Sequence, residues 1–167
     1  NSDAAGVIDQ VGASVPQSWL GRRVWLYNGQ RNGRWMGTAA EYIALNADLV
    51  TPLPDHVSFA EGATLGIPCM TAHGCVFGSG PVQGKVLLVT GGAGAVGHYA
   101  VQLAAWAGAT VIATVSSEDK AERARAGGGG GGPPVGVAVV GGGGGRLPAA
   151  SAVWVAAPHA VRESSTA

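Results

Sequence analysis

The feature that most constrains the fold is a short apolar run followed at once by a glycine-rich turn. Residues 86–90 read VLLVT, and residues 91–97 read GGAGAVG. An uninterrupted apolar run is typical of a parallel strand that is buried on both faces. Apolar residues recur at helical spacing after the turn, and a second strand is predicted over residues 110–115. The sequence therefore predicts a strand, a helix and a parallel strand joined by a right-handed crossover.

The turn itself carries a G-x-G-x-x-G pattern, formed by Gly92, Gly94 and Gly97. The pattern alone is a weak signal in a chain with 29 glycines. Its position between an apolar strand and a helix is the arrangement that binds the pyrophosphate of a dinucleotide, with the helix amides facing the anion. The alternative is a tight turn without a ligand. We predict that the cofactor is bound by Gly92, Ala93, Gly94, Ala95, Val96 and Gly97. In this pattern Gly92 is predicted to allow the sharp turn, Gly94 to let the backbone approach the phosphates, and Gly97 to let the helix pack closely against the strand.

The end of the second strand indicates which dinucleotide is bound. NAD-selective sites usually place a carboxylate about 20 residues after the glycines, where it holds the ribose 2′-hydroxyl. Here the residues are Val115, Ser116 and Ser117, and Lys120 follows one helical turn later. Ser116 and Lys120 are therefore predicted to bind a 2′-phosphate, which favours NADP over NAD. The alternative makes Ser116 a helix N-cap and Lys120 an exposed helix lysine.

Short strands are predicted before these elements. The segments AGVIDQVG, RVWLYN, TAAEYIAL and DLVTPLP lie between turn residues, a pattern typical of a small barrel or sandwich. Ser58 and Glu61 have the spacing of a capping box, so a helix is predicted to begin there. Pro68 is predicted in the first turn of the next helix, where a missing N–H costs no hydrogen bond.

The balance of charge excludes several partners and sites. Ten basic and ten acidic residues give a formal net charge of zero, which argues against nucleic acid or an anionic membrane surface. Cys69 and Cys75 form no C-x-x-C pair, the four histidines show no metal spacing, and no nucleophile with its base is recognisable. No metal site and no catalytic residue are predicted. With no leader and no membrane span in the sequence, a cytoplasmic protein is expected.

The last 41 residues differ in character from the rest. From Gly127 the sequence reads GGGGGGPPVGVAVVGGGGGRLPAA, which lacks periodicity and side chains to bury. Ordering a run of glycines costs about 1–2 kcal/mol of backbone entropy per residue with no packing in return. Residues 127–167 are therefore expected to be a low-complexity tail that is disordered or read out of frame.

In combination, five segments resemble the zinc-independent quinone oxidoreductases, the zeta-crystallin-like branch of the medium-chain dehydrogenase/reductases. They are SDAAGVIDQVG, RVWLYN, GTAAEYIAL, LPDHVSFAEGATLGIPCMTAH and the stretch from VLLVTGGAGAVG to AERARA. The resemblance implies an α/β fold in which a partial GroES-like β-barrel domain, residues 1–66, precedes the first βαβ part of a Rossmann doubly wound sheet, residues 67–126. It also implies that the chain is a fragment, which alone folds poorly or is inactive.

The resemblance also implies an activity and further site residues. NADPH would deliver hydride to a quinone or conjugated carbonyl compound without a metal, since Asn1, Ser2 and Asp3 stand where zinc-dependent relatives carry Gly-His-Glu. Thr71 and Asn28 would lie near the nicotinamide, and the full-length protein would be a homodimer. The alternatives are a relative of the zinc-type alcohol dehydrogenases and a non-catalytic, crystallin-like protein that binds NADPH.

Overall fold

A computed structural model describes residues 1–128 and 135–140 and the backbone of residues 153–156. The chain forms two compact units, Asn1–Met70 and Thr71–Ala167, which are described separately. The division between the units lies four residues after the predicted domain boundary at residue 66.

The first unit is built on a three-stranded antiparallel sheet of β1 (Ala4–Val7), β2 (Arg23–Leu26) and β3 (Val50–Pro52), in the order β1-β2-β3. Burial alternates along β2, where Val24 and Leu26 are buried and their neighbours are partly exposed. Two short 3-10 turns, Gln17–Trp19 and Ala47–Leu49, connect the strands. The strand-rich first part of the fold is thereby confirmed.

The strand predicted over TAAEYIAL, residues 38–45, is wrong. Ala39 N donates to Met36 O at 3.2 Å within a turn, and Thr38 N donates to Asn1 O at 3.0 Å. Residues 42–45 have no regular secondary structure. Together with β1 they line a groove of about 630 Å³. The segment has the composition of a strand, but among the described residues no strand pairs with it.

Three helical segments follow one another in the sequence around the boundary between the units. Helix α1 (Phe59–Gly62) begins at Ser58 with the predicted capping box, which is confirmed. A π-helical turn, Leu65–Cys69, precedes α2 (Met70–Phe77). Pro68 lies inside this π-turn and not in the first turn of α2, so the prediction for Pro68 is corrected.

The second unit contains the predicted βαβ unit, which is confirmed. Strand β4 (Val86–Thr90), α3 (Ala95–Trp106), β5 (Thr110–Val115) and α4 (Glu118–Ala126) follow in order, and Gly108 with φ 81° comes directly after the capped end of α3. Strands β4 and β5 are parallel, with Thr90 opposite Thr114. The core is almost entirely small and apolar; its fully buried side chains include Val76, Leu87, Val89, Ala100, Val101, Ala104, Val111, Ala113, Ala121 and Ala124.

Two further strands lie inside the stretch that was expected to lack regular structure. Strand β6 (Gly136–Val139) pairs parallel to β5, and β7 (Val153–Ala156) pairs antiparallel to β4, giving the order β6-β5-β4-β7. Both strands use an open edge of the central pair, which local glycine content does not reveal. The remainder of the predicted tail, residues 129–134, 141–152 and 157–167, lies outside the described residues.

Candidate cofactor-binding site

The glycine turn after β4 is closed by backbone hydrogen bonds. Gly94 N donates to Gly91 O at 2.8 Å, and Gly92 N donates to Thr114 O at 3.0 Å. Gly91 has φ 67°, the left-handed conformation that glycine adopts without steric cost. The sharp turn therefore depends on Gly91, and not on Gly92 as the motif predicts. The doubled glycine at 91–92 is the sequence signal that could have identified it.

Gly92 and Gly97 have steric roles in the turn. A Cβ added to Gly92 would lie 2.7 Å from the Cβ of Ala113 on β5. A Cβ added to Gly97 would overlap the carbonyl oxygen of Gly91. The predicted role of Gly97, close packing of the helix against the strand end, agrees with this geometry. A side chain at Gly92 would therefore clash with β5, and one at Gly97 would push α3 away from the turn.

The N-terminus of α3 presents its amides to the turn. Gly94 is the N-cap residue and has no side chain to accept a hydrogen bond, and the first turn of α3 contains no acidic residue. The first N–H groups of a helix lack intrahelical acceptors and lie at its positive end. Gly94 and Ala95 are exposed, while Ala93 and Val96 are partly exposed. These residues fit a phosphate group, which would accept from the free amides.

Ser116 and Lys120 lie at the same edge of the sheet as the glycine turn. The register of the parallel strands places Thr90 opposite Thr114, and Ser116 follows Thr114 by two residues. Lys120 Nζ donates to Ser116 Oγ at 2.8 Å, and both residues are exposed. The N-cap residue of α4 is Ser117, so the alternative in which Ser116 caps the helix is wrong.

The acidic residues at the start of α4 do not cancel this positive group. Glu118 forms an ion pair with Arg125 at 3.2 Å, about two helical turns along α4. Asp119 is exposed. The tip of β5 thus offers an ammonium group and a hydroxyl, and the carboxylate of Glu118 is paired with the guanidinium of Arg125. This arrangement fits a phosphate on the 2′ position of a ribose.

The two residues predicted near a nicotinamide belong to different units. Thr71 is the second residue of α2 and is exposed. Asn28 lies in the first unit with φ 57°, and its Oδ1 accepts a hydrogen bond from Arg31 Nε at 3.1 Å. The structure groups the residues at 92–97, Ser116 and Lys120 at one sheet edge. The roles of Thr71 and Asn28 stay predictions.

Other candidate chemistry is limited in the described part of the chain. There, no group of three or more His, Cys, Asp and Glu side chains is arranged to hold a metal ion. None of the described helices is both long enough and apolar enough to cross a bilayer. Burial raises the pKa of the Cys69 thiol, which disfavours the reactive thiolate.

The sequence is similar to curated reductases. No protein-family model matches the chain. It is 37% identical over 119 residues to the quinone oxidoreductase of Mus musculus, covering 71% of this chain and 34% of the relative. It is 38% identical over 124 residues to the 2-methylene-furan-3-one reductase of Solanum lycopersicum, covering 72% of this chain and 32% of the relative.

Solved structures show the same similarity. The quinone oxidoreductase of Pseudomonas syringae pv. Tomato superposes with a TM-score of 0.66 at 34% identity, covering 76% of this chain and 38% of that one. The Escherichia coli quinone oxidoreductase, solved in complex with NADPH, superposes with a TM-score of 0.66 at 26% identity, covering 81% of this chain and 39% of that one.

The chain spans about a third of the length of the curated relatives it matches. The 76% of the chain that superposes is longer than either unit, so the similarity extends into both. Sequence identity and fold agree with the features that the residues themselves indicate. Over the part that it matches, the chain is therefore similar in sequence and fold to quinone oxidoreductases, which supports the resemblance to the zinc-independent branch of the medium-chain dehydrogenase/reductases.

Proposed function

We propose that the chain is the cofactor-binding part of an NADPH-dependent reductase that transfers hydride to a quinone or conjugated carbonyl compound. The observation that carries the proposal is the placement of Lys120 and Ser116 at the sheet edge where the glycine turn opens onto the N-terminus of α3. The relatives named for quinone and enone substrates, and the Escherichia coli enzyme in complex with NADPH, support it.

Each part of the site has a separate task in this proposal. The amides at the start of α3 bind the diphosphate, and the absence of a side chain at Gly94 lets the diphosphate approach the backbone. Lys120 and Ser116 bind the 2′-phosphate. Thr71 and Asn28 orient the nicotinamide, which supplies the hydride and becomes oxidised while the substrate gains two electrons and takes a proton from water.

Coenzyme affinity tests the binding step. For Lys120→Gln we expect the dissociation constant of NADPH to rise about tenfold, since a charge-assisted hydrogen bond contributes about 1.5–3 kcal/mol. The dissociation constant of NADH should change less than twofold, because NADH has no 2′-phosphate. Calorimetric titration of both coenzymes gives the two constants.

The matched control is Lys85→Gln, which removes the same charge from the residue directly before β4. Because β4 runs towards the glycine turn from this residue, Lys85 is at the opposite end of the strand, and its loss should leave both constants unchanged. Equal losses of NADPH and NADH affinity in Lys120→Gln would contradict the assignment of the 2′-phosphate site.

Turnover separates an enzyme from a protein that only binds the coenzyme. In the full-length protein that contains this chain, we expect NADPH oxidation to depend on an added quinone. Binding without oxidation would support the non-catalytic, crystallin-like alternative. The homodimer and the cytoplasmic location stay predictions for the full-length protein.

A further inference from the structure

The π-helical turn before α2 is irregular. Gly66, with φ −56° and ψ −119°, departs from helical geometry inside the turn. This changes the direction of the peptide that follows, and the N–H of Ile67 donates to a side chain. Pro68 has no N–H at all. The regular ladder resumes at Met70, whose N–H donates to Gly66 O and Ile67 O.

The N–H of Ile67 is bound by a residue near the start of the chain. Ile67 N donates to Asp3 Oδ2 at 3.0 Å, across 64 residues of sequence. The backbone of Asp3 is itself held, because its carbonyl oxygen accepts from Thr38 Oγ1 at 3.0 Å. The Asp3 carboxylate therefore links the irregular turn to a backbone position that is held directly before β1.

The other oxygen of this carboxylate is packed and not solvated. Within the described residues, Asp3 Oδ1 is a buried oxygen without a hydrogen-bond partner. Gly66 lies directly against it, so closely that a Cβ on Gly66 would overlap the carboxylate. A buried acceptor oxygen without a hydrogen bond lowers the stability of the fold. Proteins keep such a destabilising group mainly where the residue has a specific role.

We propose that Asp3 is a positioning residue that holds the π-turn at Gly66 and Ile67, and so fixes the residue at which α2 begins. Thr71 is on the first turn of α2, four residues after Ile67. Asp3 thereby sets the placement of Thr71 for its contact with the nicotinamide. This role of Asp3 at the nicotinamide rests on the proposed function, whereas the tether to Ile67 does not.

The experiment compares Asp3→Ala with Asp3→Asn and with the control Asp9→Ala, which removes an exposed carboxylate from the same unit. Two ligands report separately on the two halves of the coenzyme. The first, 2′,5′-ADP, contains only the half assigned to the glycine turn and Lys120, whereas NADPH also contains the nicotinamide. Hydrogen exchange at the Ile67 amide reports the tether. All variants are made in the complete 167-residue chain.

For Asp3→Ala we expect exchange at Ile67 to become at least about tenfold faster and the dissociation constant of NADPH to rise about tenfold, a loss of about 1.4 kcal/mol. The dissociation constant of 2′,5′-ADP should stay within about twofold of its value in the unaltered chain. Asp3→Asn keeps an acceptor oxygen and should retain most of the NADPH affinity. Asp9→Ala should change none of the three quantities.

Gly66→Ala provides a second route should Asp3→Ala fail to fold. Its methyl group displaces the carboxylate, so the same selective loss of NADPH affinity is expected, and in the Asp3→Ala background the additional effect should be small. Equal loss of both ligands, or unchanged NADPH affinity, would overturn the positioning role. If the unaltered chain binds neither ligand, the proposed function fails. Unchanged hydrogen exchange at Ile67 in Asp3→Ala would show that Asp3 does not hold the turn.

Discussion

At the scale of single residues, the site depends on positions where a side chain is excluded. Gly97 is the clearest, because its missing Cβ leaves room for the carbonyl oxygen of Gly91. The sequence pattern predicted this close packing correctly, since the third glycine of the motif has the same role in known dinucleotide folds. The pattern placed the sharp turn one residue too late, because adjacent glycines at 91 and 92 are equivalent in sequence and differ only in φ.

Gly97→Ala is expected to lower the free energy of unfolding by about 1–3 kcal/mol, the range found when extra atoms are forced into a packed site. NADPH affinity should fall with it, because the amides at the start of α3 are displaced. Urea unfolding and calorimetry measure the two effects.

Gly74→Ala is the matched control, because Gly74 lies in α2 and a Cβ there would meet nothing within 4 Å. It is expected to raise stability by about 0.5–1 kcal/mol through the lower entropy of the unfolded chain. A Gly97→Ala protein as stable as this control would show that the turn is looser than described.

Ser116 determines coenzyme preference in this account. Ser116→Asp would place a carboxylate beside the 2′ position, where it accepts a hydrogen bond from the ribose hydroxyl and repels a phosphate. The ratio of NADH to NADPH affinity should rise by at least about tenfold. Thr110→Asp, at the other end of β5 on an exposed position, should leave the ratio unchanged. An unchanged ratio in Ser116→Asp would contradict the placement of the 2′-phosphate.

Among the helices and strands, the predictions that rest on a pattern of neighbouring residues were correct. The capping box of α1 is formed within four residues: Ser58 Oγ and Ser58 N donate to Glu61 Oε2 at 2.7 and 2.8 Å, and Glu61 N donates to Ser58 Oγ at 3.2 Å. The strand predicted over residues 38–45 failed for the opposite reason. Whether such a segment becomes a strand depends on a distant partner, and no such partner is encoded in its own residues.

The same distinction explains the strands that were not expected. Val137 and Val139 belong to a short GVAV segment between glycine runs, and composition there indicates disorder. The segment is ordered by the exposed edge of β5, with Ala113 opposite Val137 and Val115 opposite Val139. Four residues with two branched side chains suffice when a parallel edge is already in place.

The capping box makes the stability of α1 depend on pH. The hydrogen bonds from the Ser58 hydroxyl and backbone lower the pKa of Glu61, with a smaller contribution from His56. Ionised Glu61 therefore stabilises the fold above the pKa it has in the unfolded chain. This contribution is lost as pH falls through the lower pKa of the folded state.

Glu61→Gln should accordingly be less stable than the unaltered chain at pH 7, and the difference should shrink in acid below the ordinary carboxyl range. Thermal unfolding over a pH series measures this. Glu41→Gln, at an exposed position of the same unit, should show a smaller difference at every pH. A Glu61→Gln difference that grows in acid would contradict the assignment.

At the scale of the whole molecule, the chain contains two units and about a third of the length of its curated relatives. The family could be predicted from sequence because five separate segments resemble it in order and spacing. The position of Asp3 against Gly66 could not, because 63 residues separate two positions that only the folded chain brings together. Because the net charge is zero, the protein as a whole does not attract the negatively charged coenzyme. The attraction must come from local groups, above all Lys120 and the amides of α3.

The most direct test of the central claim is an NMR titration of the isotope-labelled chain with NADPH, following the backbone amides. We expect the largest shifts at residues 94–97 and at Ser116 and Lys120, and only small shifts at Lys85 and in the strands of the first unit. A folded chain in which NADPH shifts none of the amides from 94 to 97 would contradict it.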